Sequence, residues 1–244
     1  MATRPVPVQT EFVHDVFSHI AKQYDVMNSV LSFNQHKFWR RFAMGKMKVF
    51  QGAQCLDVAT GTGDWAISLA HTSGKSGHVT GLDFCQEMLD VSYPKIAKHQ
   101  VDQQVTMIQG DAMQLPFADN SFDFVTIGFG LRNMPDLRQV LREMQRVAKP
   151  GAKIVCLELS KPTFPPFKAL YYAYFNHILP FVGKVVVRKS EPYRWLPQSL
   201  IAFPSRKELA QIFRETGLLQ VEDYALTGGI CALHIGTKPL NQGV

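Results

Sequence analysis

The amino-acid sequence predicts an α/β fold with a doubly wound, mostly parallel β-sheet. From residue 50 onward, short apolar runs alternate with segments of helical periodicity, which is typical of βαβ units. A glycine-rich turn follows the first apolar run directly. The chain has 244 residues, of which 46% are hydrophobic and 19% charged, so it can bury the core of an ordinary soluble globular domain.

Five buried strands are predicted before residue 160, each an apolar run bounded by turn residues. They are AQCLDVA (53–59), HVTGLD (78–83), VTMIQGD (105–111), FDFVTIGFG (122–130) and AKIVCLEL (152–159).

Three helices are predicted between these strands. The first is WAISLAHT (65–72) and the second is QEMLDVSYPKIAKH (86–99), which we expect Pro94 to kink or shorten. The third begins at Asp136 as its N-cap and ends at the KPG segment (149–151).

The C-terminal part of the chain predicts one more helix and two more strands. SRKELAQIFRETG (205–217) carries a capping box formed by Ser205 and Glu208. LLQVEDYAL (218–226) and ICALHIGTK (230–238) flank a TGG turn, so we expect an antiparallel pair at the edge of a seven-stranded sheet.

We interpret the chain as one domain (1–244) built from four parts. These are an N-terminal helical cap (1–50), a cofactor-binding half (51–160), a substrate lid insert after the fifth strand (161–204), and a C-terminal helix and strand pair (205–244).

The net charge of +6 suggests an anionic partner such as a membrane surface or nucleic acid. A mildly basic surface explains the charge equally well, because no block of five like charges occurs. The apolar stretch 164–187 is broken by prolines and charges, so it does not predict a membrane span.

Cysteine and histidine spacing predicts neither disulfides nor a metal site. Cys55, Cys85, Cys156 and Cys231 lie far apart in or beside apolar runs and form no CxxC pair. We therefore expect reduced core cysteines in a cytoplasmic protein. The eight histidines show no HExxH or similar ligand spacing.

The turn after the first strand predicts a cofactor loop. Gly61 and Gly63 allow positive φ and a close approach of backbone N–H groups to a ligand. With Ala66 they form a GxGxxA pattern, which would serve NAD equally well. Asp83 ends the second strand, where its carboxylate can accept hydrogen bonds from both hydroxyls of a ribose.

Three carboxylates at consecutive strand ends, Asp57, Asp83 and Asp111, narrow the choice of cofactor. They suit the cationic sulfonium and ammonium groups of S-adenosylmethionine better than an anionic pyrophosphate. Asp111 is placed to meet an adenine amino group. The alternative is that Asp57 and Asp111 only cap loops and helix ends.

Four segments resemble the ubiquinone/menaquinone biosynthesis C-methyltransferase family, over about residues 12–238. They are YDVMNSVLSFNQHKFWR (24–40), GTGDW (61–65), SFDFVTIGFGLRN (121–133) and TGGICALHIG (227–236). The DW pair and GLDFCQEML (81–89) resemble the demethylmenaquinone methyltransferases of Gram-positive bacteria more than the dual-substrate enzymes.

The resemblance implies a Rossmann-like class I methyltransferase that uses S-adenosylmethionine. Thr60 stands where many members have glycine, and Gly128 stands where the dual-substrate enzymes have a cofactor-contacting serine. With the contacts that the family implies, the expected cofactor site comprises Asp57, Gly61, Thr62, Gly63, Asp83, Asp111, Ala112 and Gly128.

The implied reaction converts demethylmenaquinol, a prenylated naphthoquinol, to menaquinol. A ring carbon becomes nucleophilic when the neighbouring hydroxyl ionises, and a phenol has a pKa of about 10 in water. Arg132, at the sheet edge where open α/β folds bind ligands, is expected to stabilise the anion or to order the water that takes the proton. Asn133 could hold the same oxygen or the arginine itself.

The N-terminal cap supplies further candidate catalytic residues. Tyr24, Asp25 and Asn28 could close over the site. In the alternative interpretation, Arg132 pairs with a structural carboxylate such as Asp25, and Tyr24 is a core aromatic residue.

Two segments are candidates for contact with the prenyl tail and the membrane. HKFWRRFAMGKMK (36–48) interleaves aromatic and basic residues, so it could rest on an anionic bilayer as a peripheral contact on the inner face of the membrane, or be a solvated helix face. Aromatic residues of the insert could form a groove for the tail or belong to the core: Phe164, Phe167, Tyr171, Tyr172, Tyr174 and Phe175.

Three other functions compete with this interpretation. A benzoquinol C-methyltransferase of the ubiquinone pathway would use the same motifs. An NAD-dependent oxidoreductase would leave Asp111 and FGLRN without roles. A nucleic-acid-binding module rests on charge alone, and because no RNP, helix-turn-helix or zinc-finger pattern occurs, we expect no nucleic acid. A homodimer is compatible with the sequence.

Overall fold

The computed structural model describes residues 10–162, 168 and 199–240, and it contains one seven-stranded sheet of order β3-β2-β1-β4-β5-β7-β6. The first five strands pair in parallel, and β7 runs antiparallel to both β5 and β6, as the sequence predicted. The strands are β1 (Gln54–Val58), β2 (His78–Asp83), β3 (Val105–Gln109), β4 (Phe122–Gly128), β5 (Ala148–Leu159), β6 (Leu219–Leu226) and β7 (Cys231–Thr237).

The predicted helix starts are confirmed in their capping contacts. Asp136 accepts hydrogen bonds from the backbone N–H groups of Arg138 and Gln139, and Ser205 forms the capping box with Glu208. Within the described ranges the helices are α1 (Thr10–Ile20), α2 (Tyr24–Leu31), α3 (Gln35–Met47), α4 (Asp64–Ser73), α5 (Gln86–Lys98), α6 (Leu137–Val147) and α7 (Arg206–Glu215).

Two boundaries differ from the prediction. β5 begins at Ala148 and includes the KPG segment, because the register against β4 shifts between Phe122 and Phe124, and proline is tolerated at such irregularities. α5 is not shortened at Pro94 but continues to Lys98. Pro94 lies on the exposed face, where it removes one helical hydrogen bond.

The core lies on both faces of the sheet. In β1, Cys55 belongs to the cluster under α3 and α4, whereas its neighbour Leu56 belongs to the cluster under α6 and α7. All four cysteines are buried and free of disulfides, as predicted, and burial raises the pKa of Cys55 to about 12. Because both faces are covered, the strand ends are the places in the described part of the sheet where a ligand can approach the backbone.

α3 packs with α4 on one face of the sheet, whereas Phe17 of α1 and Tyr24 of α2 pack against Cys85 and Met88, just after the carboxyl end of β2. No helix in the described part of the chain is long and apolar enough to cross a membrane. The aromatic insert residues named above, 164–175, lie outside the described residues.

Candidate active site

A cavity of about 480 Å³ opens at the carboxyl ends of β1, β2 and β4. The cap contributes Val13, Phe17 and Tyr24 to its wall. It is lined by seven of the residues that the sequence placed in the site: Tyr24, Gly61, Asp83, Asp111, Ala112, Gly128 and Asn133.

A second, polar cavity of about 50 Å³ adjoins the large one. Among its lining residues are Asp57, Thr62, His36 and Arg40. Burial lowers the pKa of His36 to about 4, so this imidazole is neutral at physiological pH. The two cavities meet at the residues that line both of them: Tyr24, Ala59, Gly61, Gly128 and Phe129.

The glycine loop takes the conformation for which glycine is needed. Gly63 has a φ of 79°, and a Cβ there would lie 2.8 Å from Met107 Cε. The Gly61 N–H donates to Asp83 Oδ2 at 2.8 Å. Thr60 adds no strain from positive φ, since it is not among the residues with positive φ. Its hydroxyl donates to Asp57 Oδ2 at 2.7 Å, so it also ties the turn to β1.

Asp57 and Asp83 are buried carboxylates with raised pKa values. Burial raises the pKa of each to about 6, although hydrogen bonds to the charged form oppose the shift. The hydroxyls of Thr60 and Thr126 hold Asp57, and the N–H groups of Gly61 and Cys85 hold Asp83. Because a carboxylate has four acceptor positions, Asp83 keeps acceptor capacity toward the cavity.

The position of Asp111 is compatible with both roles that the sequence left open, a contact with adenine and the capping of a loop. Its side chain is exposed and accepts a hydrogen bond from the Met113 N–H at 2.8 Å, which is a turn-capping contact. It also lines the large cavity beside the buried Ala112.

Gly128 leaves space for the indole of Trp65. A Cβ at position 128 would lie 2.7 Å from Trp65 Cε3, closer than packed atoms approach. The departure at Gly128 and the tryptophan of the DW pair therefore belong to one packing arrangement.

Arg132 lies in a 3-10 turn (Leu131–Asn133) after β4 and lines neither cavity. Its side chain is 9% exposed and pairs with Glu158 of β5, which is 1% exposed, at 2.6 Å between Nη1 and Oε1. Nη1 also donates to the Phe129 carbonyl. Asp25 is therefore not the partner, and the partner comes from the sheet. Arg132 Nε is buried without a hydrogen-bond partner among the described residues.

Tyr24 places a polar group where the two cavities meet. Burial raises the pKa of its hydroxyl, while a hydrogen bond with Asn28 and the charge of Arg132 lower it. The Arg132 charge thus acts on the cavity wall even though the side chain does not line the cavity. Asp25 points elsewhere: it accepts a hydrogen bond from Thr62 Oγ1 and pairs with Lys95.

One group in the described part of the chain has metal-ligand chemistry. His14, Cys85 and Glu87 place potential ligand atoms within 4.8 Å of one another. Cys85 Sγ donates to Glu87 Oε2 at 3.2 Å, and the His14 ring packs edge-on against Phe84. These contacts account for the grouping without an ion.

Comparison of the sequence with known protein families gives one match over nearly the whole chain. A model of the ubiE/COQ5 methyltransferase family matches residues 6–238. The chain belongs to this family. The resemblance drawn from the sequence is confirmed.

Individual proteins similar to this methyltransferase agree with the family match. A demethylmenaquinone methyltransferase of Halalkalibacterium halodurans is 53% identical over 228 residues, covering 93% of each chain. One of Staphylococcus aureus is 49% identical over 228 residues, again covering 93% of each. The crystal structure of a SAM dependent methyltransferase from Aquifex aeolicus has a TM-score of 0.65 at 20% identity, covering 91% of this chain and 98% of that one, which shows the shared fold.

The sequence missed several residues of this methyltransferase site. Glu158 had a signal, since a glutamate in the apolar run IVCLEL must be paired. The apolar wall residues, such as Met88 and Met134, had none, because core and cavity positions have the same periodicity. Of the predicted residues, Asp25, Gly63 and Arg132 line neither cavity.

Proposed function

We propose that this methyltransferase uses S-adenosylmethionine to methylate a ring carbon of demethylmenaquinol, yielding menaquinol. The observation that carries the proposal is the pair of cavities, one polar and rich in carboxylates and one large, which meet at Tyr24, Gly128 and Phe129. Relatives about 50% identical over 93% of the chain are named demethylmenaquinone methyltransferases, which supports the ring type.

The polar side chains of the two cavities fit the chemical groups of the cofactor. Asp83 keeps acceptor capacity for ribose hydroxyls, and Asp111 with Ala112 would hold the adenine. Asp57 and Thr62 in the polar cavity would hold the cationic methionine end. When bound, S-adenosylmethionine supplies a methyl group that is electrophilic because its sulfur is positively charged. The residues shared by both cavities therefore border the proposed place of transfer.

The chain's own residues are proposed to favour the ionised quinol. Asn133 and Tyr24 present polar groups to the large cavity, where they can bind the ring oxygen. Arg132 acts from behind this wall, with its charge partly balanced by Glu158. The unpaired Nε–H is the group with which it would bind an ordered water behind the wall, since a buried donor left unpaired is costly.

We propose a second contact, between the outer face of the cap and an anionic membrane that holds the quinol. On α3 the inward residues His36, Trp39, Ala43 and Met47 are buried, whereas Lys37, Phe38 and Arg41 are exposed and face outward. The outward face of α2 and α3, with the turn between them, combines apolar and basic side chains, as interfacial helices do. Its exposed members include Val26, Val30, Phe33, Lys37, Phe38, Arg41 and Lys48.

Methyl transfer from labelled S-adenosylmethionine tests the proposed reaction. The purified protein is given demethylmenaquinol or a benzoquinol precursor of ubiquinone, each dispersed in the same detergent. We expect label in menaquinol at a rate at least ~10-fold above that of the benzoquinol. The reverse preference would assign the enzyme to the ubiquinone pathway. Transfer to neither quinol would overturn the proposed function.

Vesicle flotation tests the membrane contact. We expect the protein to bind vesicles that contain phosphatidylglycerol, to lose binding as salt rises, and to bind pure phosphatidylcholine weakly. Arg41→Glu should reduce binding. The control Lys75→Glu changes an exposed lysine before β2, at the opposite end of the sheet, and should not. Equal loss in both variants would mean that only net charge matters.

A further inference from the structure

Four side chains of alternating charge join the cap to the glycine loop. They are Asp25 of α2, Lys95 of α5, Asp64 of α4 and Arg40 of α3. Lys95 Nζ lies 2.6 Å from Asp25 Oδ2 and 2.6 Å from Asp64 Oδ1. Arg40 Nη1 lies 2.8 Å from Asp64 Oδ2. The two cap helices thus contribute opposite charges to one network.

Thr62 connects this network to the cofactor loop itself. Its hydroxyl donates to Asp25 Oδ1 at 2.6 Å and accepts from Lys95 Nζ at 3.0 Å, and the residue is 2% exposed. Thr62 follows Gly61, which lines both cavities, and Asp25 follows Tyr24, which also lines both. The network therefore holds together the two walls between which the cavities meet.

The network is more sheltered than an ordinary surface ion pair, which contributes about 0–1 kcal/mol. The side chains of Arg40 and Lys95 are 14% and 22% exposed, whereas Asp25 and Asp64 are 39% and 37% exposed, and each aspartate accepts from two donors. Burial alone would raise the pKa of Asp64, but the charges of Arg40 and Lys95 lower it to about 2. The folded arrangement therefore stabilises the ionised network.

Lys95 is the member that holds the others together, and it lines neither cavity. Without its ammonium group, Asp25 and Asp64 would face each other with no cation between them, and the Thr62 hydroxyl would hold Asp25 without the support of Lys95. We infer that Lys95 is a positioning residue for cofactor binding, which rests on the function proposed above: it seats α2 on the glycine loop and so retains S-adenosylmethionine in its site.

The physical basis is a population shift. Contacts that exist only while the cap is seated stabilise the state that surrounds the cofactor, and apparent affinity falls with the fraction of molecules in that state. Loss of Lys95 should therefore act mainly on cofactor dissociation and much less on the chemistry of a bound complex.

Two variants of the same helix provide the test and its control. Lys95→Met keeps the length of the side chain and removes its charge. Lys98→Met makes the same change one turn later, at an exposed position. Lys95→Arg tests rescue by another cation. For each protein we would measure the dissociation constant and release rate of S-adenosylmethionine, kcat, the melting temperature, and amide exchange of α2 without cofactor.

We expect Lys95→Met to weaken binding at least ~10-fold, mostly through faster release, with kcat at saturating cofactor within ~3-fold of wild type. Exchange of α2 should rise in this variant and not in Lys98→Met, and Lys95→Arg should recover most of the affinity. Unchanged exchange of α2, or a lower melting temperature with an unchanged dissociation constant, would overturn the inference. If the wild-type protein does not bind S-adenosylmethionine, the proposed function fails, and the cofactor-free exchange still decides whether Lys95 seats the cap.

Discussion

The carboxyl end of the sheet and its C-terminal edge, formed by β6, β7 and α7, differ in how their charged groups are buried. At the carboxyl end, Asp57 and Asp83 are buried with pKa values raised to about 6, and Ala59 and Phe129 have positive φ. At the C-terminal edge, α7 begins with a complete capping box, and the side chain of its residue Phe213 is fully buried. Because Gln220 and Thr227 at the edge also have positive φ, the buried carboxylates and not the backbone distinguish the carboxyl end.

The ion pairs of the two regions differ in the same way. Arg132 and Glu158 are both almost fully buried, and within the described residues Glu158 contacts no second cation. At the edge, Asp223 pairs with both Arg206 and Lys207, and Lys207 is 73% exposed. Removing one partner should therefore be severe in the first pair and mild in the second.

The largest effect is expected for Arg132→Ala. The variant leaves the Glu158 carboxylate buried without its cation, so it should lose about 3–5 kcal/mol of unfolding free energy. Turnover of the folded fraction should also fall ~10²–10³-fold if Arg132 acts on the quinolate, and should recover as pH rises, because hydroxide then ionises the quinol. Urea unfolding and the pH–rate profile are measured on one sample.

Arg206→Ala is the matched control for this comparison. Because Lys207 still pairs with Asp223, it should cost less than about 1 kcal/mol and leave turnover unchanged. Equal losses of stability in the two variants would show that burial does not distinguish the two ion pairs.

The second largest effect is expected for Asp83→Asn. The amide cannot accept at both atoms, so S-adenosylmethionine should bind ~100-fold more weakly. Stability without cofactor should also fall, by about 1–3 kcal/mol, because the amide nitrogen would face the N–H of Gly61 or Cys85 and leave that buried donor unpaired. Calorimetry and urea unfolding measure both. A dissociation constant within threefold of wild type would remove Asp83 from the cofactor site.

The sequence predicted features set by local pattern and missed those set by register. Strand alternation and the caps at Asp136 and Ser205 are local, and they are confirmed. The Arg132–Glu158 pair depends on the parallel register that puts Gly128 opposite Leu157. Nothing local in either segment encodes that register, so a carboxylate from the cap was as plausible a partner.

The sequence predicted the polar residues of the candidate site but did not predict how the side chains around them pack. Strand ends place carboxylates at one edge by topology alone, which is why Asp83 and Asp111 line the cavity. The contact of Trp65 with Gly128 depends on where α4 packs, and side-chain packing has no periodicity of its own. The same holds for Lys95, which appears in the sequence as one of two lysines of a helix.

Gly128→Ser should have a smaller effect, confined to the carboxyl end. The added atoms meet the Trp65 ring at 2.7 Å, so we expect about 1–3 kcal/mol of overpacking strain. Trp65→Leu should relieve part of that cost, so the two substitutions together should cost less than the sum of their separate effects. Urea unfolding of the four proteins measures this coupling. Strict additivity would mean that the ring moves aside freely.

The smallest effect is a dependence of cofactor affinity on pH, which again separates the two regions. Asp83 must be ionised to accept hydrogen bonds at both oxygens, and its pKa without cofactor is about 6. Below that pH most molecules carry a proton that binding must expel, so affinity should fall about tenfold between pH 7 and pH 5.

The stability of the protein without cofactor should change with pH in the opposite direction. Between the ordinary aspartate value near 3.8 and 6, the folded state holds the proton that the unfolded state has lost, so this group's contribution to stability decreases as pH rises. Calorimetry in two buffers of different ionisation enthalpy should count about one released proton at pH 5 for each carboxylate that binding ionises, and none at pH 8. In Asp83→Asn the proton released by residue 83 is no longer counted, whereas the proton released by Asp57 still is. If Asp83→Asn releases as many protons at pH 5 as wild type, the titrating group is not Asp83.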